Sequence, residues 1–305
     1  MVFKQLRNLV RFADMQRLEY FYKKTGLLLS KSINTLTSFA KILIQSKLNL
    51  RTYQPETANK CIILGNGPSL AVSLEKYNSK LTDYTLLCVN LFALSKEYAL
   101  LKPNFYVMHD PALWKSEGDL TNRIATAIKE KTNWPVKIFF PYKSRNSKFI
   151  QDLNSEFVEV VYYNYTVFKG FNKISNYIFK SNLAMPQSQN VLVACLYLCI
   201  NMGFKETYLL GADHTWHENL TVNENNVLCI KDVHFYDRDE KINERPFYKG
   251  LYTKETFSVA EIFENWTKVF KGYQAISKYA SFRKVNIYNA SHTSFIDAFE
   301  RKEIS

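Results

Sequence analysis

The run Cys61-Ile62-Ile63-Leu64-Gly65-Asn66-Gly67-Pro68-Ser69-Leu70 decides how the rest of the chain is read. A short apolar run bounded by turn residues reads as a buried strand. Here it leads into a turn with two glycines, and Ser69 then opens a segment suited to a helix. Glycine lets the backbone approach a ligand closely, and a helix N-terminus offers unpaired N–H groups and positive dipole to phosphate. Pro68 suits the first helical turn, where its missing donor costs little. The run is neither the G-x-G-x-x-G dinucleotide fingerprint nor a P-loop, which needs Gly-Lys-Ser/Thr. It is read as a phosphate-binding βα turn, with an ordinary capped turn as the alternative.

Outward from this turn, strand and helix signals alternate, the mark of a Rossmann-like α/β domain with a mostly parallel sheet and crossover helices. Further strands are expected at Thr85–Val89, Phe105–Met108, Lys137–Phe140, Val158–Tyr162, Thr207–Leu210 and Val285–Tyr288. Helices are expected at Ser95–Leu101, Val191–Met202, Val259–Ser281 and Ser294–Arg301. Ligands of such sheets bind beyond the carboxyl ends of the strands. Polar residues recur there: Asn90, then His109-Asp110-Pro111, then Gly211-Ala212-Asp213-His214. Singly each is a helix cap or a loop hydrogen bond, whereas together they mark a site. The charged, aromatic and weakly periodic stretch from about 216 to 256 is the expected lid or acceptor-binding insertion.

The 305 residues are 47% hydrophobic and 15% aromatic, which excludes a disordered chain. The net charge is +12, and residues 1–54 hold ten Lys/Arg against Asp14 and Glu19, so this stretch supplies +8 of it. The near balance elsewhere argues against a nucleic-acid partner. The 1–54 stretch reads as a basic helical appendage, with Gly26 expected to separate two helices, and residues 55–305 as the catalytic domain. Residues 1–50 either meet an anionic membrane surface or pack as a hairpin on the domain. The five cysteines lie in apolar runs without paired C-x-x-C spacing, which suits reduced thiols in a cytoplasmic protein, peripheral on the inner membrane if the arm binds lipid. The uncharged run Ser181–Phe204 is too polar in its first half to span a bilayer.

Gly65-Asn66-Gly67-Pro68-Ser69-Leu70, Val89-Asn90, Asp110-Pro111-Ala112-Leu113-Trp114 and Gly203 through Asp213 together resemble the bacterial sialyltransferases of the Campylobacter lipooligosaccharide type. They are also similar to the related motility-associated glycosyltransferases and 6-hydroxymethylpterin diphosphokinase-like proteins. The resemblance spans roughly Lys60 to Phe299. It implies that Gly65, Asn66, Gly67, Pro68, Ser69 and Asn90 hold a cytidine monophosphate moiety, with Asp110, in place of the family's Asn, on ribose hydroxyls. It implies a catalytic base at His234, with Asp213 and His214 beside it, and donor sugar or phosphate contacts from Ser188, Gln189, Asn190 and Tyr236. The family's Ser-Gly that reads a sialic acid carboxylate is replaced here by Ser188-Gln189-Asn190.

For glycosyl transfer a base must deprotonate the acceptor hydroxyl and donors must stabilise the departing phosphate. An imidazole titrates near neutral pH, so His234 suits the first task, with Tyr236, Arg238 or Lys231 for the second. A single displacement would invert the anomeric centre. No metal is expected, because neither an H-E-x-x-H nor an Asp-x-Asp pattern is present. The expected activity is an inverting, metal-independent transfer of a sugar from a nucleotide-sugar donor, with no other cofactor. The resemblance implies, as donor, a nonulosonic or related acidic sugar carried on CMP and, as acceptor, a bacterial surface glycan or lipid-linked glycan. The alternatives are pyrophosphate transfer from ATP, with Asp110 and Asp213 on Mg²⁺, and a non-catalytic nucleotide-binding protein.

Overall fold

A computed structural model of the chain describes residues 2–57, 59–115, 118–231, 235, 243–250 and 253–305, with side chains from residue 18 onward except that of Lys115. The strands of the main sheet are β1 (Lys60–Leu64), β2 (Thr85–Val89), β3 (Phe105–Val107), β4 (Val136–Pro141), β5 (Val158–Tyr163), β6 (Glu206–Leu210), β10 (Asn286–Asn289) and β11 (Glu300–Arg301). Their spatial order is β11-β10-β6-β1-β2-β3-β4-β5, and every neighbouring pair is parallel. The chain steps from β1 outward to β5, then returns through β6 to the other side of β1. The order therefore reverses between β1 and β6, beneath the Gly65 turn.

A parallel sheet is covered on both faces, so its central strands must be apolar almost throughout. That is why β1, β2 and β6 are buried beyond their first residue. Side-chain alternation splits them between two layers. Cys61, Ile63, Leu87 and Val89 join helices α8 (Val191–Met202) and α9 (Val259–Arg283). Ile62, Leu64 and Cys88 join α2 (Leu70–Tyr77) and α5 (Asp119–Lys131). Short helices α3 (Glu97–Leu101), α4 (Ala112–Lys115), α6 (Lys148–Asp152) and α7 (Asn172–Lys180) complete the connections. The buried cysteines are free thiols.

Three expectations change. Residues 1–54 do not hold two helices parted at Gly26, because α1 runs unbroken over Val2–Gln45. A Cβ on Gly26 would meet nothing within 4 Å, so this glycine imposes no bend. Residues 294–301 form no helix but a loop ending in β11. The stretch 216–256 has order of its own: β7 (Leu220–Val222), β8 (Leu228–Ile230) and β9 (Arg245–Pro246) form an antiparallel sheet following β6. α1 docks through its C-terminal part, where Thr35, Ser38 and Ile42 are buried and Ser38 Oγ donates to the Lys169 carbonyl at 3.1 Å.

Candidate active site

The turns after β1 and β6 are locked together. Gly65 N–H donates to the Leu210 carbonyl (2.8 Å) and Gly67 N–H to the Gly211 carbonyl (2.9 Å). Both sides need glycine. A Cβ on Gly67 would fall 2.0 Å from Asp213 Oδ2, and one on Gly211, whose φ is +63°, would fall 2.7 Å from the Gly65 carbonyl oxygen. Asp213 completes the lock, since Oδ1 accepts from Ser69 N–H (3.0 Å) and Oδ2 from Ser69 O–H (2.9 Å). Burial raises its carboxyl pKa, while the two Ser69 bonds pull it back down.

These contacts bear on how the turn could hold phosphate. The N–H groups of Gly65, Gly67, Ser69 and Leu70 are all engaged, the last with the Gly67 carbonyl. Asp213 occupies the place at the start of α2 that an anion would take. Glycine packing between two turns thus accounts for the G-x-G pattern without a ligand.

Above the lock lies a crevice of about 180 Å³, lined by the Asn66-Gly67-Pro68 turn, Asn90, Asn190, Asp213, His214 and the chain leading into β7. Asn66, Gly67, Pro68, Asn90, Asn190, Asp213 and His214 of the sequence-derived set therefore share one site. Gly65 and Ser69 do not line it and serve the lock between the turns. Ser188 and Gln189 lie just outside the lining, Gln189 exposed. Asp110 is exposed, and its Oδ1 accepts from Ala112 N–H (2.9 Å), a local turn bond. His234 and Tyr236 lie outside the described residues, as does Arg238. Their neighbour Phe235 is buried, stacks on Phe92 at 5.4 Å and donates its N–H to the Asn66 carbonyl (3.2 Å), so the chain beside His234 is anchored on the turn.

Three of the asparagines that line the crevice are fixed by hydrogen bonds. Asn66 Nδ2 donates to the Val89 carbonyl (3.3 Å), and its Oδ1 is buried with no partner among the described residues. Asn90 adopts a left-handed φ of 46° and accepts from His109 N–H through Oδ1 (3.3 Å), leaving its amide NH₂ as the donor. Asn190 caps α8, its Oδ1 accepting from Leu192 N–H (2.7 Å). His214 is also left-handed, at φ 56°. Asn90 and His214 thus hold left-handed backbone after the two strands that flank β1, and such strain in non-glycine residues is typical of functional sites.

Two histidines, His109, which the sequence marked only as a strand-end polar residue, and His214, which it placed beside the catalytic base, hold Asn190 in place. Ser188 O–H donates to the Asn190 carbonyl (2.9 Å), so His109 Nε2–H must donate to Ser188 Oγ (2.8 Å), and Tyr163 O–H to His109 Nδ1 (2.7 Å). On the other side, the Tyr273 hydroxyl lies 2.7 Å from His214 Nε2 and 3.4 Å from Asn190 Oδ1. Burial pushes the His109 pKa down to about 4 and that of His214 to about 3, so both rings are neutral at pH 7. Among the described residues no three His, Cys, Asp or Glu side chains are grouped to hold a metal.

From the lid side, Thr215, Trp216, Asn219 and Lys231 close the crevice. Trp216 packs on His214 at 4.3 Å and stacks with Trp266 at 5.8 Å, fixing the path of the chain out of β6.

No protein-family model matches the chain, and no curated protein does. Among solved structures it is similar to a MAf glycosyltransferase from Magnetospirillum magneticum AMB-1, with a TM-score of 0.49 and 15% identity over 91% of this chain. The chain spans 38% of that protein's length.

Proposed function

We propose that the chain is a glycosyltransferase that holds a nucleotide sugar in the crevice between β1 and β6 and passes the sugar to a glycan acceptor. The observation that carries this reading is the crevice itself. It lies where the strand order reverses, and it presents the Asn90 amide, the Asn190 side chain and Asn66 Oδ1, which has no partner among the described residues. Open α/β sheets bind nucleotides at that place, and a buried acceptor without a donor is satisfied by a ribose hydroxyl or a base amino group.

In this reading His234 is the general base, reached through the Phe235 anchor on the Asn66 carbonyl. Lys231, exposed at the rim, stabilises the departing phosphate together with the asparagine amides. Displacement in one step inverts the anomeric centre. The sequence resemblance favours a CMP-linked nonulosonic or related acidic sugar, moved to a surface glycan carried on lipid at the cytoplasmic face of the membrane. His109 and His214 are positioning residues, because each is buried and bonded to a tyrosine.

Thermal unfolding with CMP, CDP, UDP, GDP and ATP tests the reading. A ligand at 100 times its Kd stabilises by about 2.7 kcal/mol. A rise in Tm with CMP, reduced by Asn90→Ala, is the expected result. No shift with any of the nucleotides would overturn nucleotide binding, and a shift with ATP alone would turn the reading toward pyrophosphate transfer.

A further inference from the structure

Helix α1 is fixed to the domain along one side only. Thr35, Ser38 and Ile42 face the body at helical spacing. Ser46 Oγ donates to Thr166 Oγ1 (2.8 Å) and Lys47 N–H to Asn164 Oδ1 (2.9 Å) at the end of the same side. The opposite side is apolar and uncovered. Leu18, Tyr22, Leu29, Ile33, Leu36 and Leu43 fall within an arc of about 80° at 3.6 residues per turn. None is buried, and Leu36 and Leu43 are 70% and 74% exposed. Between Leu18 and Gln45 no charged residue enters that arc; Glu19 lies nearest to it, with Lys23 and Lys41 farther round on the same side. An uncovered apolar stripe of this length marks an interaction surface.

Three occupants compete. The stretch Leu18–Gln45 is long and apolar enough to cross a bilayer. However, docking from Thr35 onward leaves only about 17 residues from Leu18 to Asn34, with Lys23, Lys24 and Lys31 among them, short of the roughly 20 apolar residues a span needs. A second copy would form a coiled coil on Tyr22, Leu29, Leu36 and Leu43, spaced by seven. The alternate seam positions would then be Leu18, Thr25, Ser32 and Phe39, and two of the four are hydroxyl residues where such a seam wants apolar ones. It would also bring two segments of +8 together. An anionic lipid surface accepts the stripe at the boundary of headgroups and acyl chains and draws the net charge of +8 that a second copy would repel.

We propose that α1 lies flat on an anionic membrane, its outer stripe in the lipid and its inner side carrying the domain. The proposal goes beyond the transferase reading and needs neither nucleotide nor transfer for its test.

The test is sedimentation of the intact chain with vesicles of phosphatidylcholine alone and of equal parts phosphatidylcholine and phosphatidylglycerol. Binding to the anionic vesicles only is expected, weakened at least about tenfold by Leu36→Asp or Leu43→Asp, since each removes one leucine from the lipid. Leu29→Asp, ahead of the docked segment, should act alike, which separates lipid contact from damage to the docking. In Leu43→Trp the indole emission should shift to the blue on anionic vesicles. Equal binding by parent and Asp variants, or equal binding to neutral vesicles, would overturn the proposal. So would a lipid-free dimer that Leu36→Asp dissociates, which would assign the stripe to a second copy.

Discussion

Lowering the pH from 7.5 to 5.0 should destabilise the protein by about 4 kcal/mol through His109 and His214 alone. In the unfolded chain each imidazole has its ordinary pKa of about 6.5. In the folded chain burial lowers these to about 4 and about 3. A depressed histidine pKa gives stability that is complete above pH 6.5 and is lost as pH falls toward the folded value, because the unfolded state takes up the protons. Integrating over the window gives about 2 kcal/mol for each ring, and the slope near pH 5.5 is about 2.5 kcal/mol per pH unit for the pair. Asp213 acts with the opposite sign, since burial raises its carboxyl pKa and protonation relieves that penalty. The assay is urea unfolding at a series of pH values for the parent and for His109→Gln with His214→Gln. Glutamine keeps a hydrogen-bonding group toward Tyr163, Ser188 and Tyr273 but does not titrate. The variant's curve should be flatter by the full 4 kcal/mol, whatever its stability at pH 7.5. Parallel curves would mean that the rings are charged or solvated in the folded state, and the account of both as neutral supports for Asn190 would fall.

Gly67→Ala should lower stability by about 1–3 kcal/mol, because the added carbon would fall 2.0 Å from Asp213 Oδ2. Gly67→Val should unfold at a lower temperature still, and an unchanged Tm would refute the lock between the two turns. Asn190→Ala removes the cap of α8 and should cost about 1 kcal/mol in urea unfolding while also weakening nucleotide binding. An effect on stability without one on binding would leave Asn190 a cap only. His234→Ala should reduce turnover at saturating donor by roughly 10²–10⁴-fold with little change in nucleotide affinity, and near-parental turnover would move the base elsewhere.

The sheet was legible because its strands must be apolar on both faces, so Cys61–Leu64, Thr85–Val89 and Thr207–Leu210 stand out as short uncharged runs. The polar residues at their ends marked the edge of the sheet where the crevice lies, whereas the reversal of strand order between β1 and β6 needed the structure. The unbroken α1 was not legible, because a glycine weakens a helix by only about 1 kcal/mol and is not a stop where neighbours support the helix. The end of the chain misled for a related reason: Ser294-Phe295-Ile296 has the look of a capped helix. Ser294 instead ties the loop to the strand end, donating to the Ala212 carbonyl (2.6 Å). The pairing of Ser69 with Asp213 was out of reach too, since the two residues are 144 apart and no local pattern joins them.

That pairing alters how an anionic ligand would be held. The start of α2 has the positive dipole that favours phosphate, yet a buried carboxylate already occupies it. Two anions a few ångströms apart repel strongly where water is excluded, so phosphate and an ionised Asp213 would not share this helix end. Recognition would then fall to other groups of the crevice: the Asn90 and Asn190 side chains, the Asn66 side-chain Oδ1 and, at the rim, Lys231. Three of these four are neutral and short, and they are held by the backbone, by His109 and His214, and by the α8 cap. Such groups suit the nucleoside, leaving Lys231, the one cation at the rim among the described residues, to meet the phosphate. Asp213 serves that arrangement from behind, as the pin that keeps the two glycine turns closed and the crevice open above them.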